Sequence, residues 1–102
     1  MQTVAATALL HNFSLYCTTA RNGFPVVVTF HQSKWFIIAH PSLLTPEEMN
    51  AAVRVTATEA YHKLSQYGGM AHNGTPILIV NHGQPRCCLV PATMADRAKK
   101  VR

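Results

Sequence analysis

Asn22-Gly23-Phe24-Pro25 recurs as Asn73-Gly74-Thr75-Pro76, and the two glycines stand 51 residues apart in a chain of 102. The same gapless offset aligns Val4 with Val55, Ala6 with Ala57, Thr7 with Thr58, His11 with His62, Ser14 with Ser65, Tyr16 with Tyr67, Ala20 with Ala71 and His31 with His82. With the Asn, Gly and Pro of the quoted motif this makes eleven identities, against about three expected from ordinary residue frequencies. Self-similarity at half the chain length predicts two tandem copies of one unit.

Outward from the motif, each copy reads the same way. Upstream, Ala6, Leu9, Phe13, Tyr16 and Ala20 step by three and four, as do Ala57, Ala60, Leu64, Tyr67 and Ala71. That period predicts an amphipathic helix opening each half, with Thr7 or Thr58 at its start and Asn-Gly where a left-handed residue ends it. Gly68-Gly69 should make the second helix the weaker one. Downstream come β-rich runs, Val26 to Phe30 and Ile77 to Asn81, then polar turns at His31-Gln32-Ser33 and His82-Gly83-Gln84. The returning runs, Trp35 to Ala39 and Arg86 to Val90, complete a hairpin in each copy.

A helix plus a hairpin is too small to bury its own apolar face, so the copies are expected to share one sheet. The expected fold class is α+β: two tandem helix-plus-hairpin repeats on one antiparallel-rich sheet. The repeats span residues 1–42 and 54–93. Between them, Thr45-Pro46-Glu47-Glu48 has the spacing of a capping box with Pro at the first helical position. This predicts a helical linker over residues 43–53, with the short helix running through Val53. Residues 94–102 form a basic tail, helical at its start, carrying Arg97, Lys99, Lys100 and Arg102.

Composition bounds the function. Nine Lys and Arg against four Asp and Glu give a formal charge of +5, which favours an acidic partner. Runs such as Val26 to Val28 and Ile77 to Val80 are far shorter than the roughly 20 residues a membrane-spanning helix needs. Val4 to Leu10 is apolar but lacks a basic segment before it, so no secretory signal is expected and the protein is placed in the cytoplasm. Cys17, Cys87 and Cys88 are an odd count, with the adjacent pair in an extended run where neighbours face opposite ways, so free buried thiols are expected. The acidic residues Glu47, Glu48, Glu59 and Asp96 sit where caps and helix surfaces want them, and the histidine spacings are not those of a metal motif. The expectation is a non-enzyme without cofactor or metal. Cys17 follows Tyr16 on the helix and is matched by Gly68, which speaks against a nucleophile. Trp35 and Phe36 read as sheet core rather than a base-stacking platform.

The second half, from Val55-Thr-Ala-Thr-Glu-Ala through Leu64-Ser65 and Gly74-Thr-Pro-Ile-Leu-Ile-Val-Asn-His-Gly-Gln-Pro85 to Leu89-Val90-Pro91, resembles the DNA-binding part of Phd/YefM-type antitoxins. The first half resembles it mainly through the repeat. In that family two chains pair through this unit to bind and repress their own promoter, and a tail beyond it neutralises a toxin. The resemblance implies a single-chain pseudo-dimer, monomeric or a small homo-oligomer, recognising an inverted-repeat-like site on double-stranded DNA. The residues beyond Pro91 are expected to leave little chain for wrapping a toxin. The family's helix arginine and its basic pair entering the turn are replaced here by Leu10 and Tyr61, by Phe30-His31 and by Asn81-His82.

DNA binding needs cations for phosphates and side chains that reach base edges. Thr7, Asn12, His31 and Lys34 in one copy, with Arg54, Thr58, Lys63, His82 and Arg86 in the other, are the expected DNA-binding residues. The plainer alternative for them is an ordinary solvated polar face. The functional alternative is a protein-interaction module, antitoxin-like or an inhibitor, that binds a toxin-like protein partner instead.

Overall fold

A computed structural model describes residues 1–100. The chain runs β1 (Gln2–Ala5), α1 (Ala6–His11), α2 (Phe13–Arg21), β2 (Val26–Phe30), β3 (Ser33–Ala39), a 3-10 turn (Pro41–Leu43), α3 (Pro46–Ala51) and β4 (Val53–Thr56). It continues through α4 (Ala57–His62), α5 (Leu64–His72), β5 (Ile77–Asn81), β6 (Gln84–Pro91), a second 3-10 turn (Ala92–Met94) and α6 (Ala95–Lys100). Residues 101–102, the end of the expected basic tail, lie outside the described residues.

The fold is mixed α+β. Its six strands form one sheet in the order β1-β2-β3-β6-β5-β4. The hairpins β2–β3 and β5–β6 are antiparallel, and β3 joins β6 antiparallel at the centre with Ile38 opposite Leu89. The outer strands β1 and β4 run parallel to β2 and β5. Neither is foreseen by the sequence pattern, which runs the linker helix through Val53 and predicts no strand at Val4. Four residues offer too few alternations to betray a strand, and their ladder partners lie more than 20 positions along the chain.

Side chains alternate across the sheet, so both faces are apolar and both are covered. Val26, Val28, Phe36, Ile38, Ile77, Ile79, Cys87 and Leu89 pack beneath α1, α2, α4 and α5. Val27, Ile37, Ala39, Leu78, Cys88 and Val90 pack on the opposite side against Leu43, Leu44 and Ala98, with Met49 and Ala52 from the α3 region. The linker helix is therefore part of a second core. Helices cross between halves: α2 packs on β3 and β6, and α5 on β6 and β3. Among the described residues, no helix is long and apolar enough to cross a membrane.

Local chemistry explains the element ends. The capping box at α3 is formed, with Glu48 N donating to Thr45 Oγ1 (3.2 Å) and Thr45 N donating to Glu48 Oε1 (2.8 Å). The helix stops at Ala51 rather than Val53, because Val53 N donates to Pro76 O in the β4–β5 ladder region. Each opening helix is two helices. The backbone leaves helical geometry at Asn12 (φ −139°, ψ 39°) and Lys63 (φ −122°, ψ 35°). The apolar period runs through both breaks, leaving Leu9, Phe13 and Ala20, and Ala60, Leu64, Tyr67 and Ala71, buried. Helix starts fall at Ala6 and Ala57, one residue before the expected Thr7 and Thr58. At the second, Thr56 and Glu59 form a capping box of their own. The helices close at Gly23 (φ 98°) and Gly74 (φ 106°), as the Asn-Gly motif requires.

Candidate nucleic-acid interface

The break at Asn12 turns the α1–α2 junction toward the start of α4. Between them lies an open groove of about 600 Å³, with Leu10, Asn12, Ser14 and Leu15 on one wall and Thr58 and Tyr61 on the other. Phe13 and Tyr61, both in its lining, meet edge-on with ring centroids 6.3 Å apart. The groove shares Phe13, Ser14 and Ala57 with a neighbouring cleft of about 240 Å³. That cleft runs between α2, which supplies Ser14, Thr18 and Arg21, and the β5–β6 hairpin, which supplies Asn81 and Arg86. Its walls come from residues on both sides of α3, and they include no carboxylate.

Arg86 is half-buried on β6, and its Nε is buried without a hydrogen-bond partner among the described residues. This is a donor removed from water with nothing to receive it, an arrangement native proteins seldom leave without a reason. Arg21 stands close enough to act electrostatically on Cys87. The Cys87 thiol is nonetheless pushed well up, first by the neighbouring Cys17 thiol and then by burial, with Arg21 opposing. Burial likewise pushes Cys88 up to about 12. Both thiols are therefore protonated core groups at neutral pH, and neither is a poised nucleophile.

The place 51 positions away is built differently. Arg86 corresponds to Trp35, Asn81 to Phe30, Arg21 to His72 and Cys17 to Gly68. There the Trp35 ring lies so close over α5 that a Cβ on Gly68 would fall 2.8 Å from it and from Phe36. His72 Nδ1 lies 2.9 Å from Trp35 O, and Phe30 packs on Trp35 at 5.3 Å. Aromatic rings thus occupy the position that two guanidiniums and an amide line on the other side.

The structure brings together some of the expected DNA-binding residues. Asn12 and Thr58 both line the groove, and Arg86 lines the adjoining cleft. Thr7 and His31 share a separate shallow recess beside Thr29 and Phe30. Lys63 is exposed at the α4–α5 break, Lys34 is exposed opposite Thr29 on β3, and His82 is exposed in the β5–β6 turn. Arg54 is not among them. Val53 and Val55 belong to the core under the helices, while Arg54 pairs with Leu78 of the other core, so period-2 alternation directs it to the α3–α6 face.

Ser14, Thr18, Arg21 and Asn81 of the cleft are not among the expected residues. Arg21 reads from sequence only as a cation near a helix end, where the helix dipole favours one. Its pairing with Arg86 depends on α2 crossing onto the other half's hairpin, which no local pattern records.

No protein-family model, curated protein or solved structure matches the chain.

Proposed function

We propose that the chain is a non-enzymatic, sequence-specific DNA-binding protein, a transcriptional repressor or regulatory accessory factor acting in the cytoplasm. In this reading it is a tandem duplication forming a single-chain pseudo-dimer akin to the DNA-binding part of Phd/YefM antitoxins. The eleven identities support the duplication, as do element starts that recur at the same spacing, from β1 at Gln2 and β4 at Val53 to β3 at Ser33 and β6 at Gln84.

One observation carries the DNA reading. The groove between α1–α2 and α4, which Asn12 lines, continues into a cleft lined by Arg21 and Arg86, and neither lining contains an acidic residue. Phosphate contacts would fix the duplex, and Asn12 and Thr58 would meet base edges. The test is binding to a duplex from the gene's own upstream region against a scrambled duplex over a salt series. Tighter native binding that weakens steeply with salt is expected, and Asn12→Ala with Thr58→Ala should bring the two duplexes closer in affinity.

A second reading has its own observation. Leu10, Leu15 and Tyr61, exposed at 38%, 59% and 42%, line the same groove, and such side chains suit a protein partner of the toxin type. Absence of duplex binding even at low salt would transfer the groove to that reading.

A further inference from the structure

We infer that the cleft between α2 and the β5–β6 hairpin is a seat for one backbone phosphate of a nucleic-acid duplex, and that the molecule has one such seat rather than two. The inference rests on the DNA reading of the same face. Ser14 and Thr18 offer hydroxyls, Asn81 an amide, and Arg21 and Arg86 planar guanidiniums from opposite walls. Guanidinium forks match phosphate oxygens in a way that a single ammonium does not. With no carboxylate in the lining, the cations have no internal counter-ion there.

The asymmetry follows from two residue pairs. Gly68 under Trp35 lets the aromatic ring close over the equivalent place, with Phe30 beside it. Cys17 and Arg86 in those positions leave a cleft of about 240 Å³. Since neither α2 nor the β5–β6 hairpin forms the cleft alone, the seat exists only when the two halves are packed together. A pseudo-symmetric reader would then hold its duplex by an anchor on one side, in register with the groove containing Asn12 and Thr58.

The experiment has two arms on the full chain. In the first, inorganic phosphate is titrated against chloride at matched ionic strength while the arginine Nε–Hε resonances are followed. Phosphate but not chloride should shift Arg21 and Arg86. In the second, duplex affinity is measured against salt for wild type, Arg21→Gln with Arg86→Gln, Arg86→Lys, and His72→Gln. The double variant should lower the log–log salt slope by about one, as for one lost phosphate contact. It should also weaken native and scrambled duplexes by the same factor, because phosphates carry no sequence information. Arg86→Lys, which keeps the charge, should retain most of the slope, and His72→Gln should leave it unchanged. Circular dichroism confirms that each variant is folded.

If the wild type binds duplex and the folded double variant keeps the full slope, the seat is wrong and the DNA reading survives. An equal loss in His72→Gln overturns the claim of a single seat. If phosphate shifts both arginines while no duplex binds, the assignment to a duplex phosphate falls together with the DNA reading. If phosphate shifts neither arginine and no duplex binds, both are overturned.

Discussion

At the scale of single residues, two glycines adjacent in sequence have opposite roles. Gly68 lies under Trp35 and Phe36, where a methyl group would meet ring carbons at 2.8 Å, while nothing lies within 4 Å of a Cβ on Gly69. Gly68→Ala should therefore destabilise the fold by about 1–3 kcal/mol through overpacking. Gly69→Ala should stabilise it by about 0.5–1 kcal/mol through helix propensity. Urea unfolding of both variants checks the sign of each. The hairpin turns make a second comparison: both central residues have positive φ, His31 and Gln32 at 51° and 66°, His82 and Gly83 at 51° and 77°. Gln32 holds a conformation that costs a side-chain-bearing residue about 1–2 kcal/mol. After allowing for the freer unfolded chain, Gln32→Gly should gain about 0.5–1 kcal/mol, read as a rise in the urea midpoint at constant slope. The absence of a turn glycine from the first hairpin was legible in sequence. That Gln32 nevertheless adopts the glycine conformation was not.

At the scale of elements, caps decide where helices begin. Thr45–Glu48 and Thr56–Glu59 both form reciprocal boxes, whereas Ala5 at the start of α1 makes no side-chain cap. The positions matching Thr56 and Glu59 are Ala5 and Ala8, both exposed. Ala5→Thr with Ala8→Glu should install the missing box and add about 1 kcal/mol, seen as a higher melting temperature. The α3 box also carries a pH dependence. The Thr45 backbone N–H, followed by Arg97 at 2.6 Å, holds the Glu48 carboxyl below its ordinary value of 4.5. A carboxylate lowered on folding contributes stability that is complete above 4.5 and is lost as pH falls through the lower native value. Glu48→Gln should therefore flatten the acid side of the melting-temperature profile while changing little of its shape near neutrality. The same ion pair ties α6 to α3, joining the end of the described chain to the linker helix.

At the scale of the molecule, the halves share too much to unfold separately. The sheet is continuous through β3 and β6, and α2 and α5 both lie across that junction. Trp35, the single tryptophan, lies at the junction against Gly68 of the other half. Its fluorescence and the far-UV circular dichroism should therefore trace one coincident urea transition, as two-state unfolding of a small domain requires. Two separated transitions would show instead that each half is its own folding unit. The common junction also controls the candidate interface, whose groove and cleft each draw walls from residues before and after α3.

Local and periodic information in the sequence was enough to determine the apolar helix faces, both hairpins, the α3 capping box and the Asn-Gly helix ends. Those features depend on residues within a turn or two of one another, or on the 51-residue spacing visible in the chain itself. The short outer strands, the breaks at Asn12 and Lys63, the packing of Met49 of α3 against a second core and the turning away of Arg54 were decided by tertiary structure. So was the meeting of Arg21 with Arg86. Each depends on a partner distant in sequence, a ladder neighbour or a crossing helix, and side chains brought together that way leave no period in the sequence to read.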